Sequence, residues 1–157
     1  MNEKVLLAFS GGLDTSFCAM YLAKEKGYEV HTAIANTGGF SKDELKVIED
    51  KAYRLGAKTH VAIDVTKEYY EKSIKYMVFG NVLRNGTYPI SVSSERIFQA
   101  IAIIEHAKKL GVDYVAHGST GAGNDQVRFD LTFEILAPNI KILTPTRDMV
   151  LTREYEI

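Results

Sequence analysis

The chain has 157 residues, 46% hydrophobic and 25% charged, with 19 basic against 20 acidic side chains, a net charge of −1 and one cysteine. That length suits one domain with its own core. The balanced charge and the lack of a dense Lys/Arg block argue against nucleic acid as a partner. No apolar run reaches the roughly 18 residues of a membrane span, the N-terminus lacks the pattern of a secretory signal, and the single Cys18 can close neither an internal disulfide nor a cysteine zinc site. A cytoplasmic metabolic protein is the expectation.

In chain order, the apolar run Lys4–Phe9 (KVLLAF) reads as a buried strand ending in Ser10-Gly11-Gly12. A helix over Asp14–Lys26 follows, stopped by Gly27. Glu29–Ala35 is a second strand, closed by Asn36-Thr37-Gly38-Gly39. Ser41 and Glu44 form a capping box; the helix behind it carries Leu45, Ile48, Ala52 and Leu55 on one face and ends at Gly56. Thr59–Asp64 is a third strand. Over Val65–Phe79, Tyr69, Tyr70, Tyr76, Met77 and Phe79 recur at helical intervals, read as a core-facing stripe rather than an aromatic binding box. Asn81–Ser94 is irregular, with Asn85-Gly86 and Pro89 as turn signals. Arg96–Leu110 is an apolar helix, Val112–Ala116 a fourth strand, His117–Asp125 a glycine-rich loop, Val127–Leu136 either helix or strand, and Ile140–Leu143 a fifth strand. The tail 151–157 reads as a helix just starting, as if the chain were cut from something longer. Strands alternating with helices specify an α/β fold: a doubly wound, mostly parallel five-stranded sheet with helices on both faces.

In such sheets ligands lie beyond the carboxyl ends of the strands, where strand order reverses. Ser10–Ser16, Asn36–Gly39 and His117–Asp125 each follow a strand on that edge, and loops that only connect would not need Gly, Ser, Thr and Asn gathered there. In the first segment, Gly11 and Gly12 let backbone approach an oxygen-rich ligand. Ser10, Thr15 and Ser16 supply hydroxyls, and the next helix offers unpaired N–H groups and a positive dipole end, which suits phosphate. The lysine of the Walker A pattern is missing. Asp14 would repel a bare phosphate, so it either meets Mg²⁺ or caps the helix.

In the third segment Asp125 suits an ammonium group and Arg128 a carboxylate held by two parallel bonds, with Thr120 and Asn124 adding a hydroxyl and an amide. An amino acid offers both groups. His31 and His60 fall in strands as core or edge residues, His106 on an exposed helix face, and His117 at a strand end beside the loop, placed for a supporting role. No histidine pair has zinc spacing, so no protein-bound metal is expected. Cys18 reads as a small buried residue. With no nucleophile–His–Asp arrangement, the chemistry implied is binding and orienting reactants.

Ala8-Phe9-Ser10-Gly11-Gly12-Leu13-Asp14-Thr15-Ser16 resembles the SGGxDS-type loop of the ATP pyrophosphatases. The stretch from His117 through Gly118, Ser119, Thr120, Gly121, Ala122, Gly123, Asn124, Asp125, Gln126, Val127 and Arg128 to Phe129 is narrower and resembles argininosuccinate synthases, as does Tyr88–Arg96. Two stretches depart from the family's usual run: Phe9 stands where Tyr is frequent, and Ser91–Ser94 with Glu95 replaces more apolar small residues.

The resemblance implies an adenine nucleotide alpha-hydrolase-like, Rossmann-like domain over residues 1–157, with the family's C-terminal synthetase domain absent from this chain. It implies a carbon–nitrogen ligase of arginine biosynthesis that adenylates citrulline and condenses it with aspartate, releasing AMP and pyrophosphate. By that resemblance Ala8 to Ser16 hold the phosphates of ATP, which brings Mg²⁺ with it, and Ala35 and Gly118 touch the adenosine. Tyr88 and Ser93 bind citrulline, Thr120, Asn124 and Asp125 bind aspartate, and Asn124 and Arg128 reach citrulline; Asp14, Asn124, Asp125 and Arg128 are the catalytic candidates. The full-length form is expected to be a homo-oligomer, a tetramer by resemblance. Two other readings remain: another ATP pyrophosphatase, tRNA-modifying or coupled to an amidotransferase, and a non-catalytic nucleotide-binding module.

Overall fold

The computed structural model describes residues 2–121 and 123–149. In chain order these form β1 (Lys4–Ala8), α1 (Leu13–Met20), β2 (Glu29–Asn36), α2 (Lys42–Arg54), β3 (Thr59–Asp64), α3 (Thr66–Tyr69) and α4 (Lys75–Phe79). There follow β4 (Leu83–Arg84), β5 (Tyr88–Pro89), α5 (Ser91–Leu110), β6 (Tyr114–Ala116), α6 (Asp125–Leu136), β7 (Lys141–Leu143) and α7 (Pro145–Asp148). The five longer-range strands make one parallel sheet in the order β3-β2-β1-β6-β7. Strand β1 is central, with Leu6 in register with His31 on one side and Val115 on the other.

Strand β1 reads as an unbroken apolar run because both its faces are covered. Alternate side chains serve different cores. Val5, Leu7 and Phe9 pack with Cys18, Ala19 and Leu22 of the first helix and Ile48 and Ala52 of α2. Leu6, Ala33 and Val115 pack on the other face with Ala100, Ile103 and Ile104 of α5 and Phe133 of α6. This is the doubly wound arrangement expected from the alternation of elements. The Ser41–Glu44 capping box forms in full at the head of α2. Among the described residues no helix is long and apolar enough to cross a membrane.

Several details differ from the sequence reading. The first helix turns π-helical over Tyr21–Glu25 before Gly27, at φ +71°, reverses the chain. Helix α5 begins at Ser91 instead of Arg96, because Ser94 Oγ bonds back to the Ser91 carbonyl at 2.9 Å and Tyr69 Oη donates to the same oxygen at 2.7 Å. The 127–136 stretch is helical: Phe133 faces the core while Val127, Leu131 and Ile135 lie exposed at i, i+4, i+8. Apolar residues on both sides erased the period that separates helix from strand.

The aromatic stripe over 65–79 is a correction. Only Tyr69 is buried, at 7% exposure, against Phe98; Phe79 is 86% exposed, and Tyr70 and Tyr76 also face outward. The π-helical turn at Tyr70–Ile74 adds a residue to the repeat and rotates the later side chains off the core. Asn85 and Gly86 both take positive φ, turning the short β4–β5 hairpin. His106 is half-buried, not exposed. The helix start expected at 151–157 lies outside the described residues.

Candidate functional site

Strand order runs β1, β2, β3 to one side and then jumps back across β1 to β6, so order reverses between the carboxyl ends of β1 and β6. A cleft of about 480 Å³ opens there. Its floor and one wall are the loop after β1 and the head of α1; the opposite wall is the loop after β6 with Gln126 and Phe129. Ala33, Ile34 and Ala35 from β2 close one end, and Arg96 and Gln99 of α5 another.

The loop after β1 turns at Gly11, φ +76°, where a Cβ would also stand 3.2 Å from Ile48 Cγ1. Lys51 Nζ, from α2, donates to the Gly11 carbonyl at 2.7 Å and clamps the turn from behind. The N-cap of α1 is Gly12, in extended backbone with no side-chain cap bond. Asp14 is therefore inside the first helical turn, not the cap, and it lines the cleft. The first intrahelical bond in this turn runs from Ser16 N to the Gly12 carbonyl at 2.9 Å, which leaves the preceding amides of the helix head to other partners. Ser10 Oγ and Thr15 Oγ1 lie 3.4 Å apart in the cleft wall. Ser16 Oγ instead donates to the Gly12 carbonyl at 2.6 Å, and neither Ser16 nor Gly11 lines the cleft.

Asn36, the last residue of β2, folds its side chain into a turn: its Oδ1 accepts from the amides of Gly38 at 2.9 Å and Phe40 at 3.3 Å. Thr37 Oγ1 donates to Glu95 Oε1 at 2.6 Å, tying this loop to α5.

Beyond β6, Asp125 and Arg128, read from sequence as separate partners for a ligand, pair with each other at 2.6 Å. Arg96 Nε reaches the other Asp125 oxygen at 3.2 Å, and Arg128 Nη2 donates to Ser93 Oγ at 3.0 Å. Of the expected site residues, Ala8, Phe9, Ser10, Gly12, Leu13 and Asp14 line the cleft together. So do Thr15, Ala35, Gly118, Thr120 and Asp125. Ser93 and Arg128 join them indirectly, through Asp125. Asn124 sits at the N-cap of α6, exposed and outside the lining, and Tyr88, exposed on the β4–β5 hairpin, is outside the lining as well.

His117 lies beneath the loop, buried, its Nε2 2.7 Å from Asp130 Oδ1. Asp130 Oδ2 accepts from Arg147 Nη1 at 2.6 Å, and Arg147 also reaches Gln126 Oε1 at 3.1 Å. Burial pushes the His117 imidazole below its ordinary value, more than Asp130 beside it pushes back. Burial works to raise Asp130, but the bonds from Arg147 and His117 outweigh it and hold the carboxyl below its usual range.

Sequence reasoning missed Lys51, Arg96, Gln99, Asp130 and Arg147. Arg96 carried a signal, since it closes the Tyr88–Arg96 stretch. Lys51 is an ordinary helix-surface lysine by pattern, and nothing near it in sequence announces Gly11. Among the described residues no three of His, Cys, Asp and Glu gather as metal ligands.

Residues 4–157 match the family model described as the arginosuccinate synthase N-terminal HUP domain. The chain is 42% identical to argininosuccinate synthase of Pyrobaculum aerophilum over 99% of its length, covering 38% of that protein. It is 41% identical to that of Methanocaldococcus jannaschii over 100% of its length, covering 39%. It thus spans under two-fifths of these curated relatives. A solved structure titled as a predicted subunit of tRNA methyltransferase from the latter organism superposes with a TM-score of 0.61. That match is 23% identical, covers 92% of this chain and 68% of the other, and bears on the fold alone. Matched by the synthases over 99% or more of its length and by their N-terminal domain model over residues 4–157, the chain belongs to the argininosuccinate synthase family.

Proposed function

We propose that this chain binds ATP in the β1/β6 cleft, as the nucleotide-binding domain (residues 1–157) of a cytoplasmic ligase. That ligase joins citrulline to aspartate, giving argininosuccinate, AMP and pyrophosphate. One observation carries the reading: the hydroxyl- and amide-rich head of α1 and the loop after β6 converge on one cleft at the point of strand reversal. The Gly11 turn and the uncapped start of α1 suit the phosphates, and Ala33, Ile34 and Ala35 give an apolar edge for the purine end, with Gly118 alongside. Tyr88, Ser93 and Arg128 would serve citrulline, and Thr120, Asn124 and Asp125 the aspartate.

The ureido oxygen of citrulline is a weak neutral nucleophile, so alignment at the α-phosphorus and stabilisation of the charge leaving on pyrophosphate must supply most of the rate. Ser10, Thr15 and the amides of the α1 head would meet that charge. Among the described residues Asp14 is the cleft carboxylate that no arginine engages, which fits it to meet Mg²⁺ carried by the nucleotide; when bound, the ion would neutralise the pyrophosphate charge. Asp125 already holds Arg96 and Arg128 on its two oxygens. An amino-acid ammonium arriving there would share this carboxylate, and a carboxylate arriving with it would compete for the guanidinium.

The relatives' remaining length would add further citrulline contacts and the surface that assembles a homo-oligomer, a tetramer in the family. In a chain extended with that remainder, pyrophosphate release should require citrulline. Release that depends on aspartate and ignores citrulline would sink the reading.

A further inference from the structure

The loop after β6 is held by a relay that starts three elements away. We infer that His117 is a positioning residue whose neutral Nε2–H tautomer, set by Arg147 through Asp130, latches the Gly118–Ser119 backbone against the first turn of α1. The consequence for nucleotide affinity rests on the proposed reading of the cleft; the latch itself does not.

Ser119 N donates to His117 Nδ1 at 3.2 Å. An N–H donor meets a ring nitrogen only where that nitrogen carries its lone pair, so the proton belongs on Nε2. From there it points at Asp130 Oδ1, 2.7 Å away. Asp130 keeps its charge because its other oxygen accepts from Arg147 at 2.6 Å. Were Asp130 protonated, it could donate to Nε2, Nδ1 would take the ring proton, and that proton would face the Ser119 N–H. Arg147 thus fixes the state of Asp130, Asp130 fixes the tautomer, and the tautomer permits the Ser119 bond.

Phe129 stacks on the imidazole, centroids 5.5 Å apart and planes 29° apart, so the ring cannot swing without disturbing α6. Gly118 lies between His117 and Ser119, and a Cβ on it would be 3.1 Å from the Thr15 amide nitrogen. Wherever the latch puts Gly118, it also sets how closely the loop approaches the α1 head.

Among the described residues the charged groups facing the ring are Asp130 from α6 and Arg147 and Asp148 from α7; Asp14 stands at the head of α1 beyond Gly118. Acid pH would put a second proton on the ring at Nδ1, opposite the Ser119 N–H, and release the latch.

The test uses the ligand-free 157-residue chain labelled with ¹⁵N-histidine. Two-bond ¹H–¹⁵N correlation at neutral pH should show His117 Nδ1 unprotonated and Nε2 protonated. The opposite tautomer, or an imidazolium at neutral pH, overturns the inference. Two variants then separate latch from packing. In His117→Asn the side-chain oxygen can accept from the amide two residues on, as asparagine does in turns; His117→Leu offers no acceptor. Ser119 amide exchange should remain slow in H117N and rise about 10-fold in H117L, with Mg-ATP affinity falling about 10-fold in H117L and recovering in H117N. Equal losses in the two folded variants would make His117 a packing residue and end the proposal. If the parent chain binds no Mg-ATP, the nucleotide reading fails, while tautomer and exchange still decide the latch.

Discussion

Gly118 lies directly against the backbone of Thr15: a Cβ on it would meet the Thr15 amide nitrogen at 3.1 Å and the Asp14 carbonyl carbon at 3.2 Å. The two cleft loops touch here, backbone to backbone, so neither neighbour is a side-chain end that can swing away. Gly118→Ala should therefore cost about 1–3 kcal/mol in urea unfolding, as overpacking does, and should weaken Mg-ATP binding by separating the loops. A variant as stable as the parent, with parental affinity, would show that the contact is slack.

Lys51 holds Gly11 from behind, Nζ to carbonyl oxygen at 2.7 Å. Lys51→Met keeps most of the stem and removes the charge-assisted bond. Stability should fall by about 1–2 kcal/mol, measured by urea denaturation. Mg-ATP affinity should fall about 10-fold, because the turn that presents the α1 head loses its clamp. Unchanged binding by calorimetry would leave Lys51 a surface residue with an incidental bond.

Much of this site was legible from residue order alone. The glycine-rich segments after Phe9 and Ala116 stood at strand ends, and a parallel sheet brings consecutive strand ends to one edge, so their meeting followed from topology. What was not legible depends on register between distant helices. Nothing local to Lys51 points at Gly11, 40 positions away, and Asp130 and Arg147 look like solvated charges until α6 and α7 are packed over β6. Asp125 and Arg128 were seen, but their mutual pairing was not. They are three residues apart on one helix, neighbours by helical geometry, yet Asp125 was read into the loop and the stretch from Val127 was open between helix and strand. The aromatic stripe failed because a π-helical turn carries no clear residue signature and shifts the phase of everything after it.

Tyr69 and Phe79 should behave oppositely despite their similar place in the pattern. Tyr69 is 7% exposed and its hydroxyl donates to the Ser91 carbonyl at 2.7 Å. Tyr69→Phe should cost about 1 kcal/mol in thermal or urea unfolding. Phe79 is 86% exposed, and Phe79→Ser should change stability by no more than about 0.5 kcal/mol. A large loss from Phe79→Ser would restore the core-facing stripe.

Stability should fall on mild acidification. Burial lowers the imidazoles of His60, His106 and His117 below the ordinary value of 6.5. The folded chain keeps them neutral while the unfolded chain takes up protons as pH drops through 6.5. Their stabilising contribution is therefore complete above that pH and lost as pH falls through the folded-state values. The Asp130 carboxyl is held below 3.8, so its contribution survives to lower pH and disappears only as pH falls through its own depressed value. The melting temperature should decline from pH 7 toward pH 5, and His60→Gln should flatten part of that decline. A melting temperature that rises over this interval contradicts the burial of these rings.

The most direct measurement is a calorimetric titration of the 157-residue chain with Mg-ATP, repeated in the presence of citrulline. Saturable binding of one nucleotide is expected, with an affinity that changes when citrulline is present, since both would occupy the cleft between the α1 head and the 118–128 segment. A folded chain that takes up no Mg-ATP would contradict the claim that these two loops form a nucleotide site.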